Sequence, residues 1–183
     1  MKTIPTVLES QRTILKSPSP EYSHLLQQAI AESIQDLRDW LSWAQKTPTL
    51  KECKENARKA GKAFNEQTDL QYYIFAKKDQ ALLGCAGLHR IDWSVPKLEI
   101  GYWIRTSHQG QGYATEVCQQ LTQMTFTQLD SNRVEIRCDD NNVRSKAVAQ
   151  KAGFTFEGVL RKDSLTPNGE LRSTAVFSRI KDD

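Results

Sequence analysis

The residues best able to do chemistry fall in three short stretches of the chain's second half. The first, TSHQGQGYATEV (106–117), sets Gly110 and Gly112 in a polar turn that runs straight into an apolar-periodic segment. A turn leading into a helix N-terminus exposes backbone N–H groups without intrahelical acceptors, together with the positive end of the helix dipole, so it attracts anions. Glycines there omit the Cβ atoms that would hold a phosphate away from the backbone, although a tight turn alone also accounts for both. The second stretch, LEIGYWI (98–104), holds one carboxylate, Glu99, between Leu98 and Ile100. A glutamate in such a run is either solvent-facing or a proton acceptor tuned by its surroundings. The third, NNVRSKAVAQKAGF (141–154), opens with Asn142 and Ser145 at N-cap spacing, so Ser145 is either a capping contact or a hydroxyl free for a reaction.

The elements that must position these residues follow from periodicity. QRTILK alternates weakly and stops at SPSP, where Ser19, Pro20 and Glu21 form a helix start of N-cap, first-turn proline and dipole-matching acid. Leu25, Leu26, Ala29, Ile30, Ile34, Leu37, Leu41 and Ala44 then keep helical spacing up to TPT, with Ser33 a candidate point of division into two helices. Thr49 and Glu52 form a capping box for a further helix carrying Cys53, Ala57, Ala60 and Phe64. From Leu70 the period shortens: LQYYIFAK, ALLGCAGLHRID and LEIGYWI read as three strands of an antiparallel meander. After the glycine turn comes a helix with Ala114, Val117, Cys118, Leu121 and Met124 on one face, then the strand RVEIRC, a short helix from Asn142 to a stop at Gly153, and a hairpin at Asn168–Gly169. The prediction is one mixed α+β domain over residues 1–183 with a single strand, helix, strand unit in its middle.

Composition narrows the function classes. Of 183 residues, 38% are hydrophobic and 26% charged, and no apolar run reaches the ~18 residues of a membrane span. The start lacks the apolar core and cleavage site of a signal peptide, so a soluble cytoplasmic protein without membrane attachment is expected. The net charge of +3 is scattered and forms no stripe for nucleic acid. Cys53, Cys85, Cys118 and Cys138 lack zinc-ligand spacing, and His24, His89 and His108 lack a second histidine at metal-site spacing, so no metal is expected. Cys118 shares the apolar stripe of its helix and is read as core, not nucleophile. His108 is read as an exposed loop residue, and Trp40 and Trp43 as helix anchors or groove walls.

Three phosphate-binding patterns compete for the glycine turn. A P-loop needs lysine after the second glycine, where Tyr113 and Ala114 stand, and is excluded. A dinucleotide fingerprint needs glycine at Thr115; Glu135 lies at a suitable distance downstream, but the preceding strands read as antiparallel. The pattern Q/R-x-x-G-x-G/A is met by Gln109, Gly112 and Ala114. With LEIGYWI before it, and Asn142, Ser145, Val148, Lys151, Gly153 and Phe154 after it as N-x-x-S-x-x-V-x-x-K-x-G-F, the chain resembles the GNAT superfamily of N-acetyltransferases. LESQRTILK and LRDWLSW extend the resemblance to its ribosomal-protein N-terminal branch over almost the whole chain.

The resemblance implies a mostly antiparallel, twisted sheet flanked by helices and an acetyl-CoA-dependent transfer of acetyl to a primary amine by direct attack in a ternary complex. The acceptor it favours is a ribosomal protein N-terminus; a small amine or amino-acid derivative, or a non-catalytic CoA-binding sensor, are the alternatives. It assigns Gln109, Gly110, Gln111, Gly112, Tyr113, Ala114 and Thr115 to the CoA pyrophosphate, the main chain of Trp103 and Ile104 to the pantetheine amides, and Asn142 to the pantetheine arm. Glu99 becomes the general base, directly or through a water, and Ser145 the group at the CoA sulfur. Ser173 stands where the branch often has an acidic or His-Asp feature, a departure on the acceptor side only. A dimer or monomer is favoured.

Overall fold

The computed structural model describes residues 2–183. One eight-stranded sheet runs through it: β1 (Val7–Glu9), β2 (Thr13–Lys16), β3 (Leu70–Ala76), β4 (Leu82–Asp92), β5 (Lys97–Ile104), β6 (Arg133–Asp139), β7 (Thr155–Leu165) and β8 (Leu171–Ile180). Its spatial order is β1-β2-β3-β4-β5-β6-β8-β7, and every neighbouring pair is antiparallel except β5 and β6. That parallel pair is joined by α3 (Tyr113–Thr127), the expected strand, helix, strand unit.

Helices cover both faces. Leu98, Ile100 and Ile104 of β5 join Val117, Cys118, Leu121 and Met124 of α3, and Ala149 of α4 (Val143–Lys151), in the larger core. On the other face Leu26, Ala29, Ile30 and Leu37 of α1 (Ser23–Leu37) pack on Tyr73, Phe75, Cys85 and Trp103. The two-residue period of each strand divides these sets: in β5 even positions serve the first core, and Trp103 the second. α2 (Leu50–Glu66) begins in the full Thr49–Glu52 capping box and sets Phe64 edge-on against Tyr72, ring centroids 5.1 Å apart.

The first helical region departs from expectation in two places. Ser19 caps a single 3-10 turn, Pro20–Tyr22, before α1 proper. Ser33 does not divide the helix; α1 runs through it to Leu37, and Ala44 follows in a separate 3-10 turn, Ser42–Gln45. Ser33 is fully buried, and its Oγ accepts the Thr106 N–H at 3.0 Å. A serine that pairs across the fold has no reason to break its own helix.

Candidate active site

Register explains why β5 and β6 separate. They pair only over Lys97–Arg133, Leu98–Val134 and Glu99–Glu135, whereas β4 stays on β5 up to Ile104 and β8 stays on β6 up to Asp139. Beyond Glu99 the β6-facing edge of β5 therefore has no strand partner among the described residues, and a cavity of about 1060 Å³ fills the wedge. All twelve site residues of the sequence reading line it: Glu99, Trp103 and Ile104 on β5, Gln109 to Thr115 at its mouth, and Asn142 and Ser145 on the opposite wall.

The mouth is an anion cradle. Gly110 and Gly112 both have positive φ, +73° and +81°, and a Cβ on Gly110 would project into open space. Gly112 is the N-cap of α3 and offers no side-chain cap. The six consecutive backbone N–H groups from Gly110 to Thr115 meet no acceptor among the described residues. The acid of that first turn is diverted: Glu116 accepts bonds from Ser10 Oγ at 2.5 Å, Arg12 N at 2.8 Å and Arg12 Nε at 2.6 Å, so its charge is matched away from the N-terminus. Arg12 also lies 4.6 Å over the Tyr113 ring and donates to Gln111 O.

The loop is braced on both sides. Glu32, Ser33 and Asp36 of α1 accept from Ser107 N, Thr106 N and Thr106 Oγ1 respectively. Gln109 donates from Nε2 to Ile104 O and accepts from Arg144 Nη1, tying the end of β5 to α4. Its side chain thus holds the two walls of the wedge at a set distance.

Glu99 sits where the strands part. Its side chain is 18% exposed, and Oε2 is buried without a hydrogen-bond partner among the described residues, approached by Arg90 Nε at 3.5 Å and Arg137 Nε at 3.9 Å. Burial pushes its carboxyl above the ordinary range, an effect that Arg90, Arg137 and His89 offset only in part. On the facing wall Asn142 Oδ1 caps α4 by accepting Ser145 N–H at 3.0 Å, which leaves the Ser145 hydroxyl free of capping duty. That hydroxyl meets the Tyr102 phenol at 2.8 Å across the wedge.

Tyr102 is the side chain that sequence reading passed over. It occupies the buried stripe of β5 with Ile100 and Ile104, and a phenol on an apolar stripe requires a partner for its hydroxyl. Burial drives its pKa far up, so it stays a neutral donor. Trp40 lines the cavity, whereas Trp43 lies half exposed with its ring 6.2 Å from that of Trp103. Cys118 is fully buried, as its stripe requires, and burial raises its thiol. His108 lines the mouth, its Nδ1 2.9 Å from Ser107 Oγ. Ser173 Oγ accepts the Lys162 N–H.

An anion cradle, an unpaired strand edge, a buried carboxylate and a paired hydroxyl make a site able to hold an extended phosphorylated ligand and exchange protons at its far end. Known proteins share the fold that carries this site. The RimL ribosomal L7/L12 α-N-protein acetyltransferase, solved with coenzyme A, superposes with a TM-score of 0.88 over 97% of this chain and 99% of its own at 24% identity, a likeness of fold. In sequence, the ribosomal-protein-serine acetyltransferase of Escherichia coli (strain K12) is 29% identical over 147 residues, 79% of this chain and 82% of that protein. YdaF of Bacillus subtilis (strain 168), provisionally named a ribosomal N-acetyltransferase, is 38% identical over 103 residues, 56% of this chain and little more than half, 56%, of its own length. The family model described as "Acetyltransferase (GNAT) domain" matches residues 12–155, most of the sheet and all four helices, so this chain belongs to the GNAT acetyltransferase family.

Proposed function

We propose that residues 1–183 act as one acetyl-CoA-dependent N-acetyltransferase domain that acetylates a primary amine, first among them the N-terminal α-amine of a ribosomal protein. The observation that carries the reading is the parting of β5 from β6 at Glu99, which puts the N–H cradle and the Ser145 hydroxyl around one unpaired strand edge.

Bound acetyl-CoA supplies the acetyl group as an activated thioester. The N–H groups of Gly110 to Thr115 hold its pyrophosphate, as a helix N-terminus holds any phosphate. The free edge of β5 at Trp103 and Ile104 pairs with the pantetheine amides, with Asn142 facing that arm. One N–H of this edge also serves the developing oxyanion. Glu99, ionised, accepts a proton from the incoming amine, and Ser145, oriented by Tyr102, donates to the departing thiolate. An α-amine titrates near ~8 and a lysine near ~10.4, so a terminal amine reaches its neutral form with less help at pH 7.

The relatives named as ribosomal-protein acetyltransferases support this choice of acceptor, and a cytoplasmic enzyme fits it. Four free cysteines, three of them buried, agree with a reducing compartment. Calorimetric titration with acetyl-CoA, with NADH and ATP as controls, tests the cradle: selective binding is expected, and its absence would overturn the reading. Acetyl transfer to peptides bearing free N-termini, compared with small amines, tests the acceptor.

A further inference from the structure

The stoichiometry of this proposed reaction leaves a proton to be disposed of. An ammonium and a thioester give an amide, a thiol and one proton: the N–C bond forms, the C–S bond breaks, the thiolate takes one of the two protons that nitrogen loses, and the other must reach solvent. Glu99 is a poor outlet by itself, since its side chain is 18% exposed and its Oε2 is buried.

A second titratable group stands beside it. His89 of β4 is the direct cross-strand partner of Glu99, so the two side chains leave the same face of the sheet as neighbours. The histidine is held from three directions. Asp69, the residue before β3, lies 2.6 Å from its Nδ1. A carboxylate only accepts, so Nδ1 carries the hydrogen, and in the neutral ring Nε2 keeps a lone pair for a proton. Beneath the ring, Gly87 and Gly101 form a shelf: a Cβ on Gly101 would stand 2.9 Å from Cδ2 and 3.0 Å from Nε2, and one on Gly87 3.0 Å from Cε1. Gly101 also lines the wedge cavity, so the Nε2 edge lies against a residue of the cavity wall. At 36% and 41% side-chain exposure, His89 and Asp69 both reach water. The other charged groups around the pair are Arg90 on the same strand and Arg137 and Glu135 on β6.

We propose that His89, held by Asp69 on the Gly87–Gly101 shelf, is the proton-exit residue of the site: its Nε2 takes the surplus proton from Glu99 and releases it to solvent. This rests on the acetyltransferase reading above. His89 touches no substrate atom and acts through Glu99, while Asp69 fixes the orientation of its ring.

The test is the steady-state rate of His89→Gln at several concentrations of imidazole buffer, on the 183-residue chain with acetyl-CoA and an acceptor peptide. A drop in kcat of roughly tenfold is expected in dilute buffer. It should recover as imidazole is raised, with the KM for acetyl-CoA unchanged and the wild type indifferent to buffer. Wild-type kcat in His89→Gln, or a loss that no buffer restores in a folded variant, would overturn the proposal. Asp69→Asn serves if His89→Gln does not fold: it should lower kcat in dilute buffer by less than about tenfold and recover it as imidazole is raised, and a wild-type kcat in dilute buffer would refute its part. Failure of the wild-type protein to bind acetyl-CoA would sink the underlying reading instead, and calorimetry separates that case before any variant is made.

Discussion

Glu99 is kept from being an ordinary surface acid by desolvation, with Arg90 and Arg137 too distant to hydrogen-bond it. Only its ionised form can accept a proton. With its pKa raised, kcat/KM should fall on acidification at a higher pH than an ordinary carboxylate would give. Glu99→Gln is expected to lower kcat by about 10²–10⁴ and abolish that limb while acetyl-CoA still binds; equal rates in wild type and variant would remove Glu99 from the chemistry. Ser145 and Tyr102 form the second pair. Ser145→Ala should cost roughly tenfold in kcat with little change in the KM for acetyl-CoA. Tyr102→Phe leaves the hydroxyl without its 2.8 Å partner and should cost less, a ranking that steady-state kinetics on both variants checks. Glu99 and Ser145 were legible as candidates because a carboxylate in an apolar strand and a serine at a cap are each anomalous locally. Tyr102 and His89 were not, because a strand tyrosine and a lone histidine look ordinary until their partners, Ser145 and Asp69, are brought across 43 and 20 residues.

Among the elements, the β4–β5 pair bears most directly on the wedge. Gly84 on β4 has φ +147°, and a Cβ there would stand 2.1 Å from Trp103 O, a backbone atom that cannot swing aside. Gly84→Ala should destabilise the protein by about 3 kcal/mol or more through combined backbone strain and overlap. Urea denaturation measures it, and near-native stability would mean that β4 and β5 part without cost. Periods of 3.6 and 2 located the helices and the meander in the sequence, since both are local properties of one segment. The fate of Ser33 was hidden because its partner, Thr106, lies 73 residues on.

For the whole molecule, the far side of the parallel pair is tied by charge. Arg133 on β6 reaches Glu135 at 2.7 Å and grips Glu157 of β7 through both terminal nitrogens at 2.7 and 2.5 Å. Those bonds pull the Glu157 carboxyl down to about 2. Its contribution is therefore present above the unfolded carboxylate value and lost as pH falls toward 2. With Glu157 41% exposed, this is worth up to about 1 kcal/mol. Glu157→Gln should flatten the decline of stability on acidification between roughly 4.5 and 2, as read by denaturant midpoints; an unchanged slope would assign the acid sensitivity elsewhere.

By itself the sequence determined the element types, the glycine turn before α3 and the family pattern of Gln109, Gly112, Ala114, Asn142 and Ser145, because turns, caps and periodicity are written within a few residues of one another. It did not determine the wedge. That β5 and β6 pair for three residues and then diverge, that Glu99 falls at the point of divergence, and that Tyr102 faces Ser145 across the gap are matters of register between segments more than thirty residues apart. Only the tertiary structure decides them, because a strand's own residues say which face they occupy but not how far along its neighbour the pairing extends.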